Sequence, residues 1–359
     1  MFRTFLILLL FTTSISWAQL GGASPGGGVV KSDTTTVGPS KFVPAPYVNY
    51  SRSIGFSGGV VPLYMWNINK KDTISPQSIV GGLGMYSTNK TYFGMGFGRI
   101  YLNEDRWRIS FGGGNGNVNF QVFVDRIVND YIDYGTNFWF FKSYVQRRIF
   151  ENIYGGIVID YTNFNTEFDV DVNAAIQNTF TGVGLILERD VRSNVYYPYS
   201  GDQESIEWNT YPIWLNNKDQ SNRIKLTNNK FWALRGKKDV IAGRIYGEFG
   251  LGEIRFNQEV VVMGTDLRGY TQGKYRGKGM MDMQVEYRYN FAPKMGVVGF
   301  GGIGTVYGSS NEDINGIILP SVGLGYRYTV FPTNHMNIGL DAAIGRDDWG
   351  IYFRIGEAF

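Results

Sequence analysis

The stretch Met281-Asp282-Met283-Gln284-Val285-Glu286-Tyr287-Arg288-Tyr289 decides the fold. Its apolar residues alternate without a break with Asp282, Gln284, Glu286 and Arg288, and a period of two places the two sets on opposite faces of one strand. The same alternation recurs along nearly the whole chain. Repetition on that scale points to an all-β transmembrane antiparallel β-barrel, with a large secreted β-sandwich as the alternative. Just before this strand lie Leu267-Arg268-Gly269-Tyr270 and Gly273-Lys274-Tyr275-Arg276-Gly277.

Neighbouring segments show which face meets lipid. Near 239–250, Ile241, Ile245 and Phe249 share one face with glycines, while Arg244, Tyr246 and Glu248 share the other. Near 335–345, Met336, Ile338, Leu340, Ala342 and Ile344 oppose Asn337, Gly339 and Asp341. A lysine or arginine on the lipid face at mid-depth costs about 2–4 kcal/mol, so the register turns the charges inward. Arg244, Glu248, Asp282, Glu286 and Arg288 are therefore expected to face a polar lumen.

The first residues bear on the compartment. Arg3 precedes an apolar run from Phe5 to Phe11, and Ser16-Trp17-Ala18 offers small residues before Gln19, which reads as a secretory signal peptide over 1–18. The chain has no cysteine, which excludes disulfides, a lipid-anchored cysteine and thiolate metal sites. Residues 19–47, rich in Gly, Ser, Thr and Pro from Gly21 to Ser40, bury too little to offset their ordering entropy and are expected to form a flexible periplasmic segment. The barrel is expected to occupy 48–359 as one domain. No later stretch approaches the roughly 20 apolar residues of a membrane helix. Aromatic residues at 16% and 48 glycines suit a barrel with an aromatic girdle. The net charge of +3 is small and dispersed, so no nucleic-acid partner is expected and outer-membrane lipid is.

Alternation and breakers together predict strands near 52–66, 77–87, 91–101, 106–113, 117–125, 138–148, 152–162 and 179–189. Eight more fall near 203–213, 221–234, 239–250, 280–291, 295–307, 316–329, 335–345 and 349–359. That is about sixteen, an even number suited to a closed bacterial barrel. The fourth and fifth are the weakest, since Gly112-Gly113-Gly114-Asn115-Gly116 can also be a bulge in one long strand. With the termini periplasmic, the long connections 125–137, 163–178, 251–279 and 309–314 fall outside, and 236–238 and 292–294 fall inside. The exception is 190–201, a longer inner turn.

Four motifs have plainer readings. Gly299-Phe300-Gly301-Gly302-Ile303-Gly304 matches the dinucleotide fingerprint, but that works only where a strand turns into a helix, and here the chain continues as strand. Asp169-Val170-Asp171-Val172-Asn173 opens like a calcium loop, yet Ala174 replaces the turn glycine and Phe180 the closing glutamate. A solvated acidic loop explains it. His335 is the only histidine and falls at an inner turn, so histidine-based catalysis is not expected. Lys274, Arg276 and Lys278 read as interior pairing partners. No cofactor or metal is expected, and an enzyme is the least favoured class.

From Asp190 onward the chain resembles the BamA/TamA family of outer-membrane barrels, the bacterial surface antigen type. Asp190-Val191-Arg192-Ser193-Asn194 with Tyr197-Pro198-Tyr199-Ser200-Gly201 is similar to that family's periplasmic turn ahead of its ninth strand. Arg268-Gly269-Tyr270 resembles the signature of its sixth outer loop, which folds back into the lumen. Glu286-Tyr287-Arg288 matches the next strand, and Ile355-Gly356-Glu357-Ala358-Phe359 the closing strand with its terminal aromatic. Two departures stand out. The family's acidic partner of the loop arginine, in a Phe-x-Asp-x-Gly pattern, is replaced by Phe300-Gly301-Gly302-Ile303-Gly304, which points to Glu286 as the partner of Arg268. The roughly 30 residues between Gln19 and Val48 are too few for POTRA domains.

The resemblance implies assembly of outer-membrane proteins or protein translocation, with client proteins or a separate periplasmic partner. A seam between the strand at about Ser53 to Trp66 and Trp349–Phe359 would carry it, because unpaired strand edges template other strands. Pro62, which cannot donate to a ladder, would weaken that seam, although an edge proline can also be tolerated without function. A passive channel and a docking barrel are the alternatives.

Overall fold

The computed structural model describes residues 39–51, 54–124, 130–168, 176–236, 238–255, 258–264, 266–270, 274–309 and 312–359. The expected signal peptide, most of the expected tether and the Asp169 to Asn173 loop lie outside these. The first eleven strands are β1 (Lys41–Ser51), β2 (Gly55–Trp66), β3 (Ser78–Ser87), β4 (Tyr92–Leu102), β5 (Trp107–Val124), β6 (Asp130–Phe150), β7 (Ile153–Phe168), β8 (Ile176–Asp190), β9 (Gly201–Tyr211), β10 (Ser221–Leu234) and β11 (Asp239–Gly252). A small ribbon follows, β12 (Val260–Val261) with β13 (Arg276–Gly277), and then β14 (Gly279–Ala292), β15 (Met295–Tyr307), β16 (Leu319–Phe331), β17 (Met336–Gly345) and β18 (Asp348–Ile355). All except β12 and β13 join one closed antiparallel barrel, sixteen strands in sequence order, with β18 returning to β1. No helix among the described residues is long and apolar enough to cross a membrane.

Alternation fixes the faces. On β14, Asp282, Gln284, Glu286 and Arg288 are buried in the lumen, while Met281, Met283, Val285, Tyr287 and Tyr289 are exposed on the outer surface. The outer face continues with Ile245 on β11, Ile303 on β15 and Val322 and Leu324 on β16. In water these exposed apolar side chains would be costly, and in a bilayer they meet hydrocarbon.

The expected polar lumen holds for only part of the barrel. Beside β1 to β6 the interior is packed with Ala45, Tyr47, Leu63, Met65, Leu83, Met85, Met95, Phe138 and Phe140 in one apolar cluster. A barrel interior filled by side chains has no water column to favour polar groups, so apolar packing wins there.

Five strand expectations differ from the structure. The segment 19–47 was expected to be flexible, but β1 begins at Lys41. The expected strands 106–113 and 117–125 are one strand, β5, whose glycines continue the ladders to β4 and β6 without a bulge. Because β1 precedes them, the expected strands 52–66, 77–87 and 91–101 run opposite to the expected direction. Merging two strands into β5 restores both the count and the direction from there onward. The strand beside β18 is therefore β1, so Pro62 lies in β2, opposite Pro44 and away from the seam. The closing strand ends at Ile355. Gly356 turns the chain at φ +82°, and Phe359 is folded into the lumen against Tyr197, Phe231, Val240 and Ala242.

Both described termini lie at one end of the barrel, as strand order requires. The turns 67–77 and 191–200 and His335 lie at that end, and the loops 253–278 and 308–318 lie at the distal end.

Candidate functional site

The loop between β11 and β14 leaves the distal rim and returns into the lumen, braced by the β12–β13 ribbon. Leu267, Arg268 and Tyr270 are at most 1% exposed. Leu267 packs with Met280, Val306 and Leu319, and its Cδ1 lies 2.9 Å from where a Cβ on Gly302 would stand. Gly302 thus leaves room for the loop as well as lacking a carboxylate. Gly269 has φ +105°, and a Cβ there would come within 2.7 Å of the Ile344 carbonyl carbon, so the loop lies directly on β17. The Gly269 N–H donates to Tyr352 Oη of β18 at 3.0 Å. Tyr270 Oη donates to the Pro320 carbonyl at 2.6 Å and accepts from the Arg346 N–H at 3.1 Å.

Arg268 sits where these contacts converge. Its guanidinium donates to Glu286 of β14 at 2.8 Å and to Asp341 of β17 at 2.9 Å, with Gln284 at 3.4 Å. Its plane lies 3.4 Å from the Phe300 ring centroid, a cation–π contact with β15, the strand that lacks the acidic group. Asp341 also accepts from Arg327 of β16 at 2.5 Å and from Arg354 of β18 at 2.6 Å. Glu286 accepts from Arg288 at 2.7 Å, and Arg288 reaches the Phe359 carbonyl oxygen at 2.7 Å, the Pro198 carbonyl at 3.3 Å and Glu357 at 3.8 Å. Glu357 accepts from Arg327 at 2.9 Å and from Asn337 at 2.7 Å.

A continuous chain of charge-assisted bonds thus links the loop tip to the terminal end of the lumen. It begins at the loop tip and ends at the residues after β18. Buried ions of this kind hold only when each is paired, and removing one partner costs about 3–5 kcal/mol because the other is left uncompensated. The loop also binds β18 directly, since Arg354 donates to the Gly264 carbonyl at 3.1 Å.

The turn 191–200 closes the terminal end beneath this chain. Arg192 pairs with Asp190 at 2.9 Å, and Asp190 also meets Arg108 of β5 at 3.4 Å. Tyr197 packs against Phe359 and accepts from the Asn290 amide at 2.7 Å. Burial, with Glu357 nearby, pushes the Tyr197 phenol up to about 12, so it remains neutral.

The other lumen residues named from sequence fall in a second cluster. Glu248 accepts from Arg223 at 2.7 Å and pairs with Lys225 at 3.3 Å. Arg244 stands 3.8 Å from Asp266 of the loop. Asp282 is buried, with Gln284, Arg244 and Asp266 around it. Of the basic residues expected to pair inside, Arg276 is buried against Glu259 at 2.6 Å, whereas Lys274 is exposed beside Asp347 at the distal rim. The 299–304 glycine run lies wholly within β15. Among the described residues no group of three potential ligands could hold a metal.

Comparison with solved structures finds barrels of this kind, among them BamA and CdiB. BamA from Haemophilus ducreyi lacking POTRA domains 1–3 superposes with a TM-score of 0.54 at 13% identity, over 89% of this chain and 75% of that one. CdiB from Acinetobacter baumannii gives 0.59 at 13% identity over 89% and 60%, and CdiB from Escherichia coli 0.60 at 10% over 89% and 67%. The fold is that of the BamA and CdiB barrels. No protein-family model and no curated protein sequence matches the chain. With identities this low, the likeness to BamA and CdiB rests on the sixteen-stranded closed barrel itself.

Proposed function

We propose that this BamA-like barrel resides in the bacterial outer membrane with its termini periplasmic, and supports assembly or translocation of other polypeptides through the seam between β1 and β18. One observation carries the reading. Residues 41–49 of β1 form no ladder with β18, and the first register pair is Tyr50↔Ile351, while every other neighbouring pair in the barrel is laddered along most of its length. An unpaired strand edge is a template for another strand, and in a membrane its open backbone groups are costly, so a seam held this way is poised to take up a partner. The loop carrying Arg268 bonds to Tyr352 and Arg354 of β18 and supports the wall beside that seam.

Apolar packing beside β1 to β6 and the folded-in loop speak against a wide solute channel. Client outer-membrane proteins, or a separate periplasmic partner that delivers them, are the partners this reading requires. Depleting the protein and comparing the outer-membrane proteome tests it. Loss of a defined set of outer-membrane proteins is expected. An unchanged proteome with altered uptake of small solutes would favour a channel instead.

A further inference from the structure

The β1–β2 ladder runs unbroken through Pro44 opposite Pro62. Two prolines facing each other cannot exchange hydrogen bonds, since neither has an N–H. The exchanging pairs must then be the alternate ones, Val43↔Leu63, Ala45↔Val61 and Tyr47↔Gly59. The backbone groups of the even-numbered residues of β1 consequently turn away from β2, towards β18. The β2–β3 ladder reports the same parity, because its two missing pairs are those at Val61 and Pro62, where a Pro62 N–H would be needed.

On β1 the even positions facing the seam are Phe42, Pro44, Pro46, Val48 and Tyr50, and the two prolines leave no donor between Phe42 and Val48. The register Tyr50↔Ile351 makes Phe353 and Ile355 the positions of β18 that face this gap. Their side chains alternate with lumen-facing Tyr352 and Arg354 and so point outward, yet both are buried, and the Phe353 ring lies edge-on to Tyr47 at 5.6 Å. Tyr47 itself faces the lumen. The end of β18 therefore passes inside β1, and the two strands overlap through side chains instead of zipping. Lys41 continues the overlap, donating to the Val330 carbonyl over the Phe331 ring.

We infer that Pro44 and Pro46 are the residues that keep the terminal half of the seam unzipped, by removing consecutive donors from the one edge of β1 that faces β18. This deepens the seam reading given above and rests on it for its consequence, but not for its structural content. The test is the variant Pro44→Val/Pro46→Val, with Pro46→Val alone as a milder form and Pro62→Val as the control that alters only the β2–β3 ladder. Amide hydrogen exchange of the purified, detergent-folded barrel reads Val48, Phe353 and Ile355, and heat-dependent gel migration shows that each variant is folded. The double variant should slow exchange at Phe353 and Ile355 by about tenfold or more, and the control should leave both unchanged. Rates within about twofold of the original protein in the folded variants would overturn the inference. In a depleted strain, a zipped variant that no longer supports client levels agrees with the seam reading. Full support by a zipped variant would contradict that reading while leaving the role of the prolines in place.

Discussion

Arg268 shows how a site moves across strands when one residue is lost. Gly302 offers no carboxylate, and the charge is met by Glu286 and Asp341, while Phe300 stacks on the guanidinium. Replacing Arg268 with Ala should destabilise the barrel by about 3–5 kcal/mol. A double-mutant cycle of Arg268→Ala with Glu286→Ala, followed by denaturant unfolding in detergent, should give a coupling above about 0.5 kcal/mol, and strict additivity would reject a direct pair. Gly269→Ala forces a left-handed residue against Ile344 and should loosen the loop, read as faster protease cleavage within 253–278. Unaltered cleavage would show that the tip does not depend on this glycine. Glu286 could be named from sequence because it is a carboxylate on the inward face of the adjacent strand. Asp341 could be assigned only to a face, because alternation carries no information about which inward residues meet across a lumen.

At the scale of elements, strands with strict alternation were legible and those built from glycine and proline were not. β14 and β17 could be read residue by residue. β1 was hidden because two prolines, Pro44 and Pro46, interrupt the usual signature of a strand, although prolines whose missing donors face an unpaired edge are compatible with one. β5 was divided at its glycines, which pair normally with both neighbours. The fate of the last residues was equally hidden, since a terminal aromatic on a strand and one folded inward look alike in sequence. Phe359 is 4% exposed and packed on Phe231 and Val240, so Phe359→Ala should cost about 3 kcal/mol and lower the temperature at which the barrel loses its compact gel migration. No change in that temperature would mean that the tail only rests in the lumen.

For the whole molecule, the even count and the closed ladder were legible in the period of two, and the filled interior was not, because inward apolar residues on glycine-rich strands resemble lipid-facing ones. A closed barrel should migrate differently on a denaturing gel before and after heating, and identical migration of folded, membrane-extracted protein would count against closure. With the loop and the apolar cluster in the lumen, single-channel conductance of the purified barrel should be far below that of an open pore of sixteen strands. A large, steady conductance would return the channel reading to first place. The seam decides between the two most directly. The chain has no cysteine, so Ser51→Cys with Gly350→Cys introduces a single crosslink at a register pair whose Cα atoms, about 4.5 Å apart in a pair that exchanges no hydrogen bonds, suit a disulfide. In cells depleted of the original protein, the oxidised variant should fold and accumulate normally yet fail to restore client proteins to the outer membrane, and reductant should restore them. Full complementation by quantitatively crosslinked protein would contradict a seam that opens.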